Sequence, residues 1–475
     1  MLDGKRLVLV SNREPYVRKQ GPDKGHFERT TGGLVTALDP VMRRCGGVWL
    51  AWDPGGDPAL PHRFEVPESG PTFTLRQVPL SRGEVRRYYY GFANRALWPL
   101  CHYFIDRCHF DDEQWNDYVA VNRRFADATA QEAAREDLIW VHDYHFCLLP
   151  RMLRERRPRG TIAYFLHIPF PAEEVFKILP WRREILEGIL GADLVGVHVP
   201  SYVTDFLGCC ERLLGAKVDH GAKVVHWDGR QVAVQAFPIG IEVEEIEGIA
   251  SAPETASRAR RIRKNLKESK VVLGVDRLDY RKGIRERLLA VERLLEEAPE
   301  LRGGLTFVQV AVPSRTRVQE YRHLKRVIDE LVGRINGRFG DSSWQPIRYL
   351  YRSLGRQDLI AHYLAADVAM ITPLRDGMNL VAKEYCAARV DEDGALLLSE
   401  FTGAAEGLAS GAMLVNPFSV EGTANKLREA LELSPNERSS RMKLMRAHVR
   451  DTHINVWLQD ILLAASKIPG ADCIG

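Results

Sequence analysis

The stretch VAMITPLRDGMNLVAKEY, residues 368–385, passes from a short apolar run into the loop Pro373-Leu374-Arg375-Asp376-Gly377 and then into a helix that begins near Asn379. Continuous rather than alternating apolar character marks a strand buried on both faces, as in a parallel sheet covered by helices. The same rhythm recurs along the chain. RLVLVSN (6–12), DLIWVHDYH (137–145), TIAYFLHIPF (161–170), DLVGVHVP (193–200) and VAVQAFPIG (232–240) form a first series. KVVLGVDRLD (270–279), LTFVQVAVP (305–313), IRYLYR (347–352), ALLLSEF (395–401) and AMLVNPF (412–418) join the opening stretch in a second. Helical segments such as Ile284–Glu297 and Arg317–Arg334 fall between them. This alternation predicts an α/β chain of two doubly wound, Rossmann-like domains.

At 475 residues the chain exceeds one ordinary core, and two domains of about 200 residues each are expected. The boundary is placed near Gly240, giving domains 1–240 and 241–454. The Glu/Arg/Lys-rich stretch that follows, to about Ser269, reads as a surface linker helix. NVWLQDILLAASKI (455–468) reads as an amphipathic helix, and the segment 455–475 is free to pack back on the first domain. A net charge of +3 argues against a nucleic-acid coat or a polybasic membrane anchor. No apolar stretch approaches the roughly 20 residues of a membrane span, and MLDGKRLVLVSNREP breaks too early for a signal peptide. Eight cysteines without a CxxC pair suit buried thiols in a reducing compartment. A cytoplasmic location is expected.

In open α/β sheets ligands bind beyond the carboxyl ends of the strands, so the loops after the apolar runs should carry the chemistry. The first run ends in Ser11-Asn12-Arg13-Glu14-Pro15. Thr30-Thr31-Gly32-Gly33 then opens a helical stretch, where paired glycines let backbone N–H groups approach a phosphate or sugar oxygen. Taken alone, the glycines make an ordinary turn and Arg13 a surface ion pair. His142-Asp143-Tyr144-His145 and Leu166-His167-Ile168-Pro169 end the next two runs. No third ligand at metal spacing follows, so no metal site is expected. Asp143 and His167 are read as hydrogen-bonding sugar hydroxyls, with helix capping as the alternative. Arg277 and Lys282 straddle a strand–helix turn, a compact way to neutralise a diphosphate leaving group without a metal. Another arginine, Arg315, follows the next strand. The free N–H groups of the helix beginning near Asn379 would face an anion. Glu384, one turn in, could accept both ribose hydroxyls.

These loops, with ALWPLCHY (96–103), LHIPFP (166–171), PIGI (238–241) and GRINGRFG (333–340), resemble the trehalose-6-phosphate synthase family from Ser11 to about Trp457. The resemblance implies a retaining glycosyltransferase of the GT-B fold, with the active site in the cleft between its two domains. It also implies transfer of glucose from a nucleotide-glucose, UDP-glucose favoured, to glucose 6-phosphate. The alternatives are glycerol 3-phosphate, as in glucosylglycerol-phosphate synthases, or another phosphorylated acceptor. Carried over position by position, Gly32 and Gly33 meet the donor's phosphates and sugar, and Arg277 with Lys282 binds its diphosphate. Asp376, Gly377, Met378 and Asn379 hold the transferred glucose, and Leu380, Val381 and Glu384 hold phosphate and ribose. Arg13, Tyr89, Asp143 and Arg315 form the acceptor site, with the two arginines on the 6-phosphate. Trp98 and His167 shape the glucose-binding cleft. The expected catalytic group is Asp143, His167, Arg277, Lys282 and Asp376. No cofactor is required by this reading, and Mg²⁺ acts at most as a stimulant. Leu354 stands where the family often has an aromatic residue near the base, which leaves the base open. No phosphatase domain follows, so a separate phosphatase is expected downstream. Homo-oligomerisation is left open.

Overall fold

The computed structural model describes residues 6–18, 26–30, 33–53, 62–157, 159–267, 269–314 and 319–468. Contacts divide the chain into one unit that runs to Pro238 and takes in the chain from Trp457, and another comprising Ile239–Val456.

In the first unit the initial apolar run becomes strand Leu7–Val10, with all four residues buried. It runs parallel between strands Val48–Asp53 and Leu138–His142. From it the chain steps outward through Val48–Asp53 to Phe73–Pro79. It then crosses back and proceeds the other way through Leu138–His142, Ile162–Phe165, Leu194–Val197 and Arg230–Ala236. This reversal creates a topological switch point between Leu7–Val10 and Leu138–His142, the place where open α/β sheets bind their ligands. Antiparallel strands Arg63–Val66 at one edge, and Val224–Trp227 followed by the edge strand Lys217–Asp219 at the other, complete a ten-stranded sheet among the described residues. A small antiparallel ladder, Tyr16–Arg18 with Phe27–Arg29, follows the first strand.

The second unit holds a six-stranded parallel sheet in the order Ile347–Leu350, Leu305–Val312, Lys270–Arg277, Val368–Ile371, Ala395–Ser399 and Met413–Val415. Here too the chain leaves Lys270–Arg277 in one direction and resumes from Val368–Ile371 in the other, so the second switch point lies between those two strands. Helix Ile284–Glu297 buries Ile284, Leu288, Val291 and Leu295 in a core with Phe307, Met370 and Leu397. Full burial of each such side chain stabilises by about 1.5–3 kcal/mol.

The Glu/Arg/Lys-rich stretch after Gly240 forms two helices rather than one linker helix, Val243–Ser251 and Pro253–Asn265. Pro253 cannot extend the first helix, because it has no N–H to donate, but it suits the first turn of the second. Both belong to the body of their unit: Val243, Ile246, Thr255 and Ala259 are buried, and Arg258 and Arg263 pair with Asp358 and Asp367. The helix expected at 317–334 is described from Gln319 and runs on to Phe339. The closing amphipathic helix is Ile454–Ser466. Its Trp457 packs on Trp140 and Phe165, each at 5.4 Å between ring centroids.

Candidate active site

At the first switch point four side chains form a connected row. Arg13, exposed just past strand Leu7–Val10, donates from Nη2 to the Tyr89 hydroxyl at 3.0 Å. The Tyr89 ring stacks on His145 (5.7 Å, 14°) and meets Trp52 edge-on at 5.0 Å. His145 in turn brings Nδ1 to 3.9 Å from Asp143 Oδ2. Tyr89 belongs to a π-helical segment, Val85–Leu97, that kinks at Gly91 (φ −83°, ψ −108°). Asn94 bridges this segment to the next loop, donating to the Tyr89 carbonyl (2.6 Å) and accepting from the Tyr144 hydroxyl (3.0 Å). Trp98, at the end of the segment, lies 5.3 Å from the Tyr144 ring.

Asp143 has φ 76° and ψ 170°, a region that only glycine adopts without strain. The surroundings hold it there. Its N–H donates to the Phe165 carbonyl (2.7 Å), its Oδ1 accepts from the His167 N–H (3.1 Å), and its carbonyl accepts from Tyr164 (3.2 Å). The side chain is 21% exposed but densely surrounded, and burial pushes its carboxyl up to about 7. Glu14, nearly closed off and accepting a hydrogen bond from Gln77, is also pushed by burial to about 7. His167 is partly open, and burial followed by the nearby His142 and His198 depresses its basicity.

At the second switch point the loops after Arg277 and Ile371 are tied together. Asp276 is fully buried and accepts from Arg287 Nη2 at 2.9 Å. Burial raises its carboxyl, against the pull of Arg287 and Lys282. Asp279 holds the buried Arg281 by hydrogen bonds to its backbone N–H (3.1 Å) and its Nε (3.2 Å). Gly283 (φ 63°) lets the chain turn so closely that a Cβ there would lie 2.3 Å from the Thr372 carbonyl oxygen. That approach carries Lys282 Nζ to Asp376 Oδ2 at 2.6 Å, which also accepts from Asn379 Nδ2 at 3.1 Å. Asn379, at φ 79°, caps helix Leu380–Ala388 by accepting from the Ala382 N–H. Gly377 and Met378 are buried behind the loop, and the Thr402 hydroxyl holds the Met378 carbonyl at 2.5 Å. Leu380 and Val381 stand in the first turn, where N–H groups have no preceding carbonyl to serve. Asp276, Asp279 and Asp376 each face a cation, whereas Arg277 is exposed and makes no ion pair among the described residues. Arg277, together with Arg375 in the second loop, adds positive charge to loops of which one leads into a helix N-terminus, an anion-binding arrangement.

Glu384, on the same helix Leu380–Ala388, accepts from the Tyr363 hydroxyl at 3.1 Å. Burial raises its carboxyl, partly offset by Arg356. Gly33 opens helix Gly33–Cys45. Gly32 and Arg315 lie outside the described residues. The sequence reading gave His142 and His145 no role beyond excluding a metal. The stacking of His145 on Tyr89 and the contact of His142 with His167 arise from strand pairing and a kinked helix, which local pattern does not display. Among the described residues no group of three His, Cys, Asp or Glu side chains is placed to hold a metal ion. No helix among them is long and apolar enough to cross a membrane.

Two Rossmann-like units, one presenting a cation-rich helix start and the other aromatic rings beside a carboxylate, describe a glycosyltransferase of the GT-B fold. The chain belongs to Glycosyltransferase family 20, whose profile matches residues 5–467. It is 46% identical over 470 residues to a trehalose-6-phosphate synthase of Mycobacterium avium (strain 104), covering 97% of this chain and 95% of that one. A UDP-forming alpha,alpha-trehalose-phosphate synthase from Burkholderia xenovorans, solved in complex with glucose-6-phosphate, superposes with TM-score 0.87 at 35% identity, covering 97% of this chain and all of that one. A structure described as trehalose-6-phosphate from E. coli bound with UDP-2-fluoro glucose gives TM-score 0.89 at 35% identity, covering 98% of this chain and all of that one.

Proposed function

We propose that the protein transfers glucose from UDP-glucose to glucose 6-phosphate with retention at the anomeric carbon, giving α,α-trehalose 6-phosphate. The observation that carries this reading is the 46% identity to a trehalose-6-phosphate synthase over 97% of the chain. In this reading Arg277 and Lys282 neutralise the diphosphate, and the first turn at Leu380 and Val381 offers N–H groups to phosphate. Asp376 and Asn379 accept or donate to glucose hydroxyls, Glu384 takes the ribose, and Gly32 and Gly33 meet the donor's phosphates and sugar. Arg13 and Arg315 bind the acceptor's phosphate. Tyr89 and Trp98 line its sugar, and Asp143 orients its hydroxyls.

A double displacement would need a free carboxylate as nucleophile. In the second unit Asp276, Asp279 and Asp376 are engaged by Arg287, Arg281 and Lys282, and this reading takes the transfer as direct, with Asp143 orienting hydroxyls rather than attacking. The acceptor hydroxyl oxygen bonds to C1 on the face from which the phosphate departs. The C1–O bond to phosphate breaks, and the hydroxyl proton passes to the departing phosphate oxygen. Lys282 and Arg277 hold the charge that develops there, a preorganised stabilisation of the kind that dominates many enzymatic rate enhancements. The product keeps a phosphate ester, so a separate phosphatase would act on it. The seven described cysteines are free thiols, in keeping with a reducing cytoplasm.

The test is an initial-rate panel of UDP-, ADP- and GDP-glucose against glucose 6-phosphate and glycerol 3-phosphate. The reading expects the highest kcat/KM for UDP-glucose with glucose 6-phosphate. A clear preference for glycerol 3-phosphate would overturn the acceptor, and a preference for another nucleotide would overturn the donor.

A further inference from the structure

His142 and His167 are 25 residues apart, yet the pairing of His142 with Phe165 brings them side by side. Their rings lie 5.3 Å apart at 21°, with Nδ1 of His142 at 3.0 Å from Nε2 of His167. His142 is fully buried beneath Trp140, at 4.5 Å between rings. His167 is enclosed by Phe165 (4.7 Å), His198 (5.5 Å, edge-on) and Trp457 (6.4 Å). Its backbone is fixed separately, by the N–H bond to Asp143. The two rings therefore share one hydrogen bond, and a single proton lies between them.

Burial holds both imidazoles neutral, with His142 pushed down to about 3. Each ring then carries one N–H, and two arrangements are open. If His167 donated from Nε2, the only proton left to His142 would sit on its own Nε2, which is buried and has no hydrogen-bond partner. An orphaned buried N–H is the rarer and costlier defect. If His142 donates from Nδ1, its Nε2 is a bare lone pair, and the single proton of His167 moves to Nδ1. No hydrogen bond within the protein engages that Nδ1 among the described residues, and the ring is partly open.

We propose that His142 is a positioning residue that sets the tautomer of His167, donating from Nδ1 to Nε2 of His167 and so making the latter's Nδ1–H a fixed donor to a hydroxyl oxygen of the transferred glucose. The sugar contact rests on the function proposed above; the tautomer does not. Because the donor hydrogen is set before substrate arrives, no ring flip or proton exchange accompanies binding, which is what preorganisation requires.

The experiment is ¹⁵N–¹H correlation spectroscopy on histidine-labelled full-length protein, with the two rings assigned through His142→Leu and His167→Asn. Both rings in the wild type are expected as Nδ1–H tautomers. In His142→Leu, His167 should gain Nε2–H population and kcat/KM for the donor should fall roughly tenfold, the worth of about one hydrogen bond to substrate. His142→Asn carries an amide N–H near the position of Nδ1. It should restore the wild-type His167 spectrum and most of the activity. A wild-type His167 protonated at Nε2 would overturn the proposal, as would a folded His142→Asn as impaired as His142→Leu. Expected tautomers in a protein that transfers no glucose would support the role of His142 while contradicting the functional reading.

Discussion

Lys282 meets Asp376 at 2.6 Å across two loops, a contact that the diphosphate of the proposed donor site would share or break. If Lys282 stabilises charge as the phosphate departs, Lys282→Ala should lower kcat by roughly 10²-fold or more. An unchanged kcat with only weaker donor binding in calorimetry would contradict that role. Asp143 makes a prediction in pH. Its folded-state value of about 7 lies above its unfolded one. The stability this contributes is therefore present below the unfolded carboxylate range and is lost as pH rises through about 7. In the proposed acceptor site the same ionisation creates the oxygen that would accept sugar hydroxyls. The acceptor's kcat/KM should rise as pH passes about 7, and Asp143→Asn should lack that rise. Glu14 is pushed to the same value; a limb that survives in Asp143→Asn contradicts the assignment to Asp143, and its loss in Glu14→Gln would assign it to Glu14. Of these residues, Lys282 and Asp376 announce themselves in the sequence because each follows a buried apolar run. Tyr89 does not: it sits in a π-helical segment whose spacing matches neither a helix nor a strand, and only family resemblance marks it.

The loop elements carry their own test. Gly283 combines positive φ with the close approach to Thr372 that brings Lys282 and Asp376 together. Gly283→Ala should lower stability by about 1–3 kcal/mol, the usual scale for backbone strain, and weaken donor binding. Gly215 also has positive φ, but open space surrounds it, so Gly215→Ala should leave donor affinity intact. Thermal denaturation and donor calorimetry on both variants check this; equal donor loss in the two would mean that close approach is irrelevant. Many inner strands were legible because burial on both faces writes an unbroken apolar run, as in Leu7–Val10 and Val368–Ile371, but Val48–Asp53 and Phe73–Pro79, also inside the sheet, were not among the runs read. Arg63–Val66 and Lys217–Asp219 were not, since edge strands expose one face and alternate with charge. The two helices after Gly240 blurred into one linker because Pro253 both ends and begins a helix. The histidine pair was invisible because the register of two parallel strands, His142 opposite Phe165, closes its separation.

For the molecule as a whole, each unit places its distinctive residues at the switch point of its own sheet. Arg13 and Asp143 follow neighbouring strands in one; in the other Arg277 ends one strand and Asp376 follows its neighbour. Cations and a helix start are proposed to serve the diphosphate in place of a metal. Activity should therefore persist after exhaustive treatment with EDTA, with Mg²⁺ stimulating at most. Abolition by EDTA and rescue by Mg²⁺ would show that the reaction requires a divalent ion. Transfer to glucose 6-phosphate with retention is reported directly by the product's anomeric centre. NMR of the disaccharide formed from UDP-glucose labelled with ¹³C at C1 should show an α-configured labelled carbon joined to the anomeric oxygen of glucose 6-phosphate, with the phosphate still in place. A β-configured labelled carbon, or a label joined to any other acceptor, would contradict the account.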